Sequence, residues 1–378
     1  MNKRKRILFL LGEIPEKIEN GQILLQFLII KNISKTNDCF IAGHYKGKTF
    51  LDSIEELKEK TYLLKKNSKI NRVIKTAYHF SPPISVDFVN DYNISLINLI
   101  LKKNNISNLH SIFFPSLAIL SRKVEAKNNI MTAPDLYSKY YLQLIKNNEG
   151  IKKMSHYFNY LAYLILERKN ASIYNSIHFV NFNEVYNSNF DNAVCVPLLY
   201  PKDKENYSLK KKKEILFTRG NRDNTLWFIK NIVLSLKKYN FTIISKDMDV
   251  LEYYRSNISN LDNLKLLEWV NDYEEFTSSF YIHIAIDKIA TGCSTKTINA
   301  FKNGNLLIGT ELSYRGLKNL DQSLKCVFKN DIELIKLIGH FMELKEIEHK
   351  ERINKAKSYI DNYINNTKTI KLIESKYI

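Results

Sequence analysis

Residues 287–317, DKIATGCSTKTINAFKNGNLLIGTELSYRGL, hold the densest set of residue types able to do chemistry in this chain. Four of its 11 glycines fall there: Gly292, Gly304, Gly309 and Gly316. The pattern predicts a strand ending at Ile286-Asp287, a small-residue loop, and a helix beginning near Ser294 or Thr295. Such a turn aims backbone N–H groups and a helix dipole's positive end at one point, which suits phosphate. Gly292 permits close backbone approach. Thr291 and Cys293 contribute loop N–H groups, and Ser294 and Thr295 can cap or donate. Lys296 stands in the first turn, where a cation opposes the dipole, so an anion is expected beside it. A capped helix without any ligand is the plain alternative, since such loops are common in α/β folds.

Upstream, TRGNRD (218–223) places Arg219, Gly220 and Arg222 after another predicted strand. An arginine fork matches phosphate better than an ammonium does. Otherwise both arginines are solvated loop charges. In the N-terminal half, Gly21, Asp135 and Ser138 are weaker candidates for ligand contact, and Asp135 could equally cap the helix LYSKYYLQLI (136–145).

These residues need a scaffold. The 378 residues are 44% hydrophobic and 25% charged, enough for two domains. The longest apolar runs, ILFLL, ILLQFLII and YLAYLIL, fall far short of the roughly 18–20 residues that cross a bilayer. The basic start MNKRKRILFLL runs into Gly12-Glu13 rather than a cleavage site, so it reads as a buried strand of a cytoplasmic protein. Strand-like and helix-like stretches alternate over 6–198 and again over 214–310, predicting two parallel, doubly wound sheets. Between them, YPKDKENYSLKKKK (200–213) has no apolar periodicity and reads as a linker. The expected domains are 1–199 and 214–357, with a closing helix over 358–378.

The net charge of +18 implies a polyanionic partner: nucleic acid, anionic lipid or a phosphorylated substrate. No helix-turn-helix, zinc or RNP pattern supports nucleic acid. Cys39, Cys195, Cys293 and Cys326 are far apart, so neither a metal site nor a disulfide framework is expected. Segment 57–83 mixes Lys65, Lys66, Lys69, Arg72 and Lys75 with Tyr62, Leu63, Leu64, Tyr78 and Phe80. That mixture suits an anionic membrane surface, or is simply a solvated lysine-rich face.

The stretch 287–317 resembles the C-terminal half of retaining GT-B glycosyltransferases, in the large family 4 of bacterial polysaccharide enzymes. Gly292, Lys296, Ala300, Gly304, Thr310, Gly316 and Leu317 fall in register with that family's pattern. Val270 and Asp272 match upstream, and ILFTRGNRDNTLWFIKNIV is similar to its first C-domain segment. RILFLLGEIPEKIENGQ, with Gly21, resembles the opening strand and glycine loop. APDLYSKYY, with Asp135 and Ser138, resembles an acidic-serine segment. Several positions depart from the pattern. Asn299 replaces a glutamate that holds donor hydroxyls, Thr291 replaces its frequent acidic partner, Ala290 and Ser313 replace glycines, and Asn305 replaces a proline. No histidine follows the strand before IFFPS, where only His110 precedes it.

The resemblance implies two Rossmann-like domains facing a cleft, and a transferase using a nucleotide-sugar as substrate with no metal and no further cofactor. Lys296, Arg222 and Asp135 would be catalytic. Arg219, Gly220, Val270, the 291–295 loop and Asn299 would bind the donor, and Gly21, Asp135 and Ser138 would serve the acceptor side, with Asp135 able to hold a sugar hydroxyl. The implied acceptor is a glycan or a polyprenyl-linked sugar at the inner face of the cell membrane, in surface polysaccharide synthesis. A non-catalytic GT-B-like subunit that binds a partner enzyme or glycan is the alternative, and Asn299 and the missing histidine are its best support.

Overall fold

A computed structural model of the chain describes residues 4–18, 21–201, 211–218, 222–259 and 261–378. Two compact units emerge. The first runs to Pro201 and includes Thr291–Cys293 and Ile364–Ile378; the second comprises Lys202–Ala290 and Ser294–Tyr363.

The first unit is built on seven strands: β1 (Arg6–Glu13), β2 (Asp38–His44), β3 (Thr61–Leu63), β4 (Asn108–Ile112), β5 (Asn128–Thr132), β6 (Ser176–Phe179) and β7 (Ala193–Cys195). Their order is β3-β2-β1-β4-β5-β6-β7, and every pairing is parallel. β1 is apolar on both faces, with Ile7 through Leu11 fully buried, because helices cover both sides of a parallel sheet. Chain order reverses across β1 and β4, which opens a crevice at their C-terminal ends. Segment 57–83 folds into β3 and a helix, Lys69–His79, capped by the Ser68 side chain. None of that helix's residues is buried, and Ile70, Val73, Ile74 and Tyr78 stand in solvent.

The tail is two helices rather than one. The first, Glu346–Tyr363, belongs to the second unit, and the other, Asn366–Glu374, to the first. Asn365 accepts from Lys368 N at 2.9 Å, so its side chain starts a new helix where a continuous one was expected. Beyond it Tyr377 is buried, its hydroxyl 2.7 Å from His110 Nδ1. The other ring nitrogen of His110 meets Thr132 Oγ1 at 2.8 Å.

The second unit carries β8 (Lys212–Thr218), β9 (Asn240–Ile244), β10 (Leu264–Leu267), β11 (Phe280–Ala285) and β12 (Leu306–Gly309), ordered β10-β9-β8-β11-β12 and all parallel. Its core joins Phe217, Phe228, Phe241, Ile282, Ile284 and Ile308. The stretch NTLWFIKNIVLSLKKY (224–239), whose apolar spacing reads as one amphipathic helix, is α-helical only to Phe228, in the helix Arg222–Phe228, and continues as a π-helical turn, Ile229–Val233. The wider turn keeps Phe228, Ile229, Ile232 and Val233 all inside the core.

Candidate functional site

The order of the second unit's sheet reverses between β8 and β11, so the chain leaving β11 enters a crevice. Asp287 lies two residues past the strand and is pinned there. Its N–H donates to Thr310 Oγ1 at 3.0 Å, and that hydroxyl donates to its carbonyl at 2.8 Å. Its carboxylate then gathers two cations: Lys296 Nζ at 3.1 Å and Arg315 Nη1 at 2.6 Å. Burial pushes its pKa up, but Lys296 and Arg315 outweigh burial and hold it below the usual carboxylate value. The anion expected beside Lys296 is therefore Asp287. One carboxylate thus holds two cations at the start of the helix Thr295–Lys302.

Ser294 caps that helix, accepting from Thr297 N at 3.4 Å, while its own N–H donates to Arg315 O at 3.4 Å. Thr297 Oγ1 donates to Ser313 O. Ser313, which stands where the resemblance expects glycine, is buried, and its hydroxyl donates to Ala285 O at 2.8 Å. The loop is thereby tied back onto β11. Thr295 and Asn299 are half-buried, and Asn299 Oδ1 is a buried acceptor without a partner. The helix stops where it should: Gly304 has φ +66° and its N–H reaches Phe301 O at 3.1 Å.

The remaining donor-side residues are distributed differently. Arg222 pairs with Asp249 at 2.8 Å, with both side chains more than half exposed. Arg219 and Gly220 lie outside the described residues, as does most of the expected linker. Val270 is half-buried against the small cluster of Leu216, Ile244 and Phe280, and Asp272 caps the helix Tyr273–Ser278.

Thr291–Cys293 pack with the first unit. Gly292 has φ +65°, its N–H donates to Glu184 Oε1 at 3.2 Å, and its carbonyl accepts from Asn181 Nδ2 at 2.7 Å. A Cβ there would lie 2.3 Å from Asp135 Oδ1, so only glycine fits. Glu184 also accepts from Leu136 N at 3.1 Å, and burial drives its pKa up to about 7 against the bond from Gly292. Asp135 does not cap the helix Tyr137–Lys146. The N–H groups at that end go to Glu184 and Glu167 instead, and Asp135 Oδ2 accepts from Gln22 Nε2 at 3.3 Å. Ser138 is buried, with its N–H and its hydroxyl both committed to Glu167. Burial raises Glu167 to about 7 as well. Gly21 is the first residue of the helix Gly21–Ile33, which flanks the first unit's crevice.

That crevice holds a pocket of about 190 Å³ at the C-terminal ends of β1, β4 and β5, touched by Gly12, Ile112, Phe113 and Thr132. The structure thus brings Lys296, Ser294, Thr295 and Asn299 to one helix start and adds Asp287 and Arg315, which sequence reasoning passed over. Arg315 was within reach, since it adjoins Gly316 in the patterned stretch. Asn181 and Glu184 carry no local signal and appear only through tertiary contact.

No family model and no curated protein matches the chain. Its backbone is nonetheless similar to solved structures along nearly its whole length. A glycosyltransferase from Rickettsia africae superposes with TM-score 0.64 at 14% identity, over 99% of this chain and 98% of that one. WaaG, a glycosyltransferase of lipopolysaccharide biosynthesis, gives 0.65 at 12%, covering 97% and 99%. HepE of Anabaena, solved with UDP and glucose, gives 0.63 at 8%, covering 98% and 99%. Two parallel α/β sheets and these superpositions together make the fold GT-B.

Proposed function

We propose that the protein transfers a hexosyl-type sugar from a nucleotide-sugar donor to a glycan or lipid-linked acceptor. The observation that carries this reading is the Asp287–Lys296–Arg315 cluster at a capped helix start, in the crevice of the second unit's sheet. Transfer breaks the bond between the sugar's anomeric carbon and the diphosphate, and the electron pair leaves on a phosphate oxygen. The acceptor hydroxyl bonds to that carbon and passes its proton to the departing diphosphate oxygen. Charge therefore grows on the diphosphate as the sugar becomes oxocarbenium-like, and positive groups fixed beforehand stabilise it. Lys296 and Arg315 supply that charge, and Asp287 fixes their positions without neutralising both. In this reading the cations serve the leaving group where other enzymes use a metal. Asn299 Oδ1 is buried and unpartnered, which supports a role in accepting a donor hydroxyl. Retention of configuration follows from the family resemblance.

UDP and UDP-glucose, bound by HepE, are the donors to test first. The pathway we favour is assembly of a surface polysaccharide; WaaG, one of the similar structures, belongs to lipopolysaccharide biosynthesis. No helix among the described residues is long and apolar enough to cross a membrane. We place the protein at an anionic membrane face through the helix Lys69–His79, whose apolar residues stand in solvent alongside Lys69, Arg72 and Lys75.

The second reading is a binding subunit without catalysis, favoured by the Gly292 N–H, which an internal carboxylate already holds. Thermal-shift screening against sugar nucleotides, followed by release of UDP on turnover, separates the two. A transferase is stabilised by one donor and turns it over; a binding subunit does not. Asn299→Glu, which installs the family's residue, should retain or raise turnover in a transferase.

A further inference from the structure

We infer that the first unit's pocket takes an uncharged, hydroxyl-bearing acceptor with an apolar face and turns phosphorylated ligands away. This rests on the transferase reading for the word acceptor, but the binding claim stands apart from it. Gln26 lines the pocket at only 6% exposure, and its Nε2 has no hydrogen-bond partner. A buried amide donor left open costs stability unless a ligand or water satisfies it. Its natural partner is a neutral oxygen such as a sugar hydroxyl.

The charges around it argue against an anion. Lys66 is the one ammonium among the described residues that line the pocket, and it sits 2.6 Å from Glu13 Oε1 and 3.5 Å from Asp87 Oδ2. Both carboxylates line the pocket too. The nearby guanidinium of Arg72 is spent on Asp87 at 2.5 Å. In a chain of net charge +18, this pocket carries two carboxylates to one ammonium. A phosphate entering it meets like charge and no uncommitted cation. The rest of the lining is largely apolar, with Phe88 and Phe113 offering rings to the C–H face of a sugar or to an alkyl chain.

The test uses the full chain without any donor. Octyl glucoside below its micelle concentration and octyl phosphate share a tail and differ only in the head group. By calorimetry, octyl glucoside should bind at least about tenfold more tightly. Gln26→Leu should weaken octyl glucoside by about tenfold, one hydrogen bond's worth, and leave the melting temperature unchanged or higher. Glu13→Gln, at a side chain 64% exposed, should raise octyl phosphate affinity by releasing Lys66. Equal or tighter binding of octyl phosphate by the wild type overturns the inference, as does a Gln26→Leu variant that binds octyl glucoside unchanged. UDP binding, measured in the same samples, reports on the transferase reading alone, so the two can fail separately.

Discussion

The two units solve one topological problem with opposite chemistry. Each has a parallel sheet whose strand order reverses beside its first strand, and each opens a crevice there. In the second unit that crevice gathers Lys296 and Arg315 on a single carboxylate at a helix start. In the first it surrounds a lone lysine with two carboxylates and leaves an amide donor open. The fold determines where a ligand can sit, and a handful of side chains determines which ligand it can be. On the proposed reading, the first arrangement suits a polyanion and the second a neutral group, the two ligands that joining a nucleotide-sugar to a hydroxyl would need.

The largest effect should come from breaking the cationic side of this contrast. Lys296→Ala and Arg315→Ala should each lower turnover of a UDP-sugar by roughly 10²–10³, the usual cost of a lost transition-state donor. Octyl glucoside binding to the first unit should not move. Parallel loss at both ends would mean the variants disturb folding rather than chemistry.

Gly292→Val should come next. Its φ of +65° and the 2.3 Å approach to Asp135 Oδ1 force the loop away from Asn181 and Glu184. Backbone strain alone should cost roughly 1–3 kcal/mol in urea denaturation. An unchanged midpoint would show that the loop does not need this conformation.

A smaller effect concerns pH. Burial raises Glu167 to about 7 in the folded chain, whereas an unfolded glutamate titrates near 4.3. The folded state then holds the extra proton between those values, so stability falls as pH rises from about 4.3 to 7 and levels off above. Glu167→Gln should flatten that slope by up to about 1.4 kcal/mol per pH unit, whatever it does to absolute stability. Denaturation at pH 5, 6, 7 and 8 reads this directly. An identical slope in the variant would place the titration elsewhere. At the bottom of the scale, Arg222→Ala should change stability by less than about 1 kcal/mol, because its pair with Asp249 is solvated on both sides.

Much of the scaffold was legible in advance because it is local. ILFLL, a short run closed by Gly12, reads as a strand buried on both faces, whereas the runs ILLQFLII and YLAYLIL lie in helices, and Gly304 marks a helix end by its own backbone preference. Lys296 was legible as a cation in need of an anion. Its partner was not, since Asp287 lies nine residues away and Arg315 closes the cluster from 28 residues beyond Asp287. Ser138 and Asp135 show the same boundary. The sequence offers a carboxylate beside a helix start, but the carboxylates that satisfy that start, Glu167 and Glu184, come from other helices. The split tail and the π-helical turn also hide in stretches whose apolar spacing reads as continuous helix.

The central claim is that the second unit's crevice binds a diphosphate through Lys296 and Arg315. Calorimetry of UDP against uridine, on the wild type and the Lys296→Ala, Arg315→Ala double variant, tests it most directly. The account expects UDP to bind at least tenfold more tightly than uridine to the wild type, and that advantage to vanish in the double variant. A wild type that binds UDP no better than uridine, or a double variant that keeps the full advantage, would contradict it.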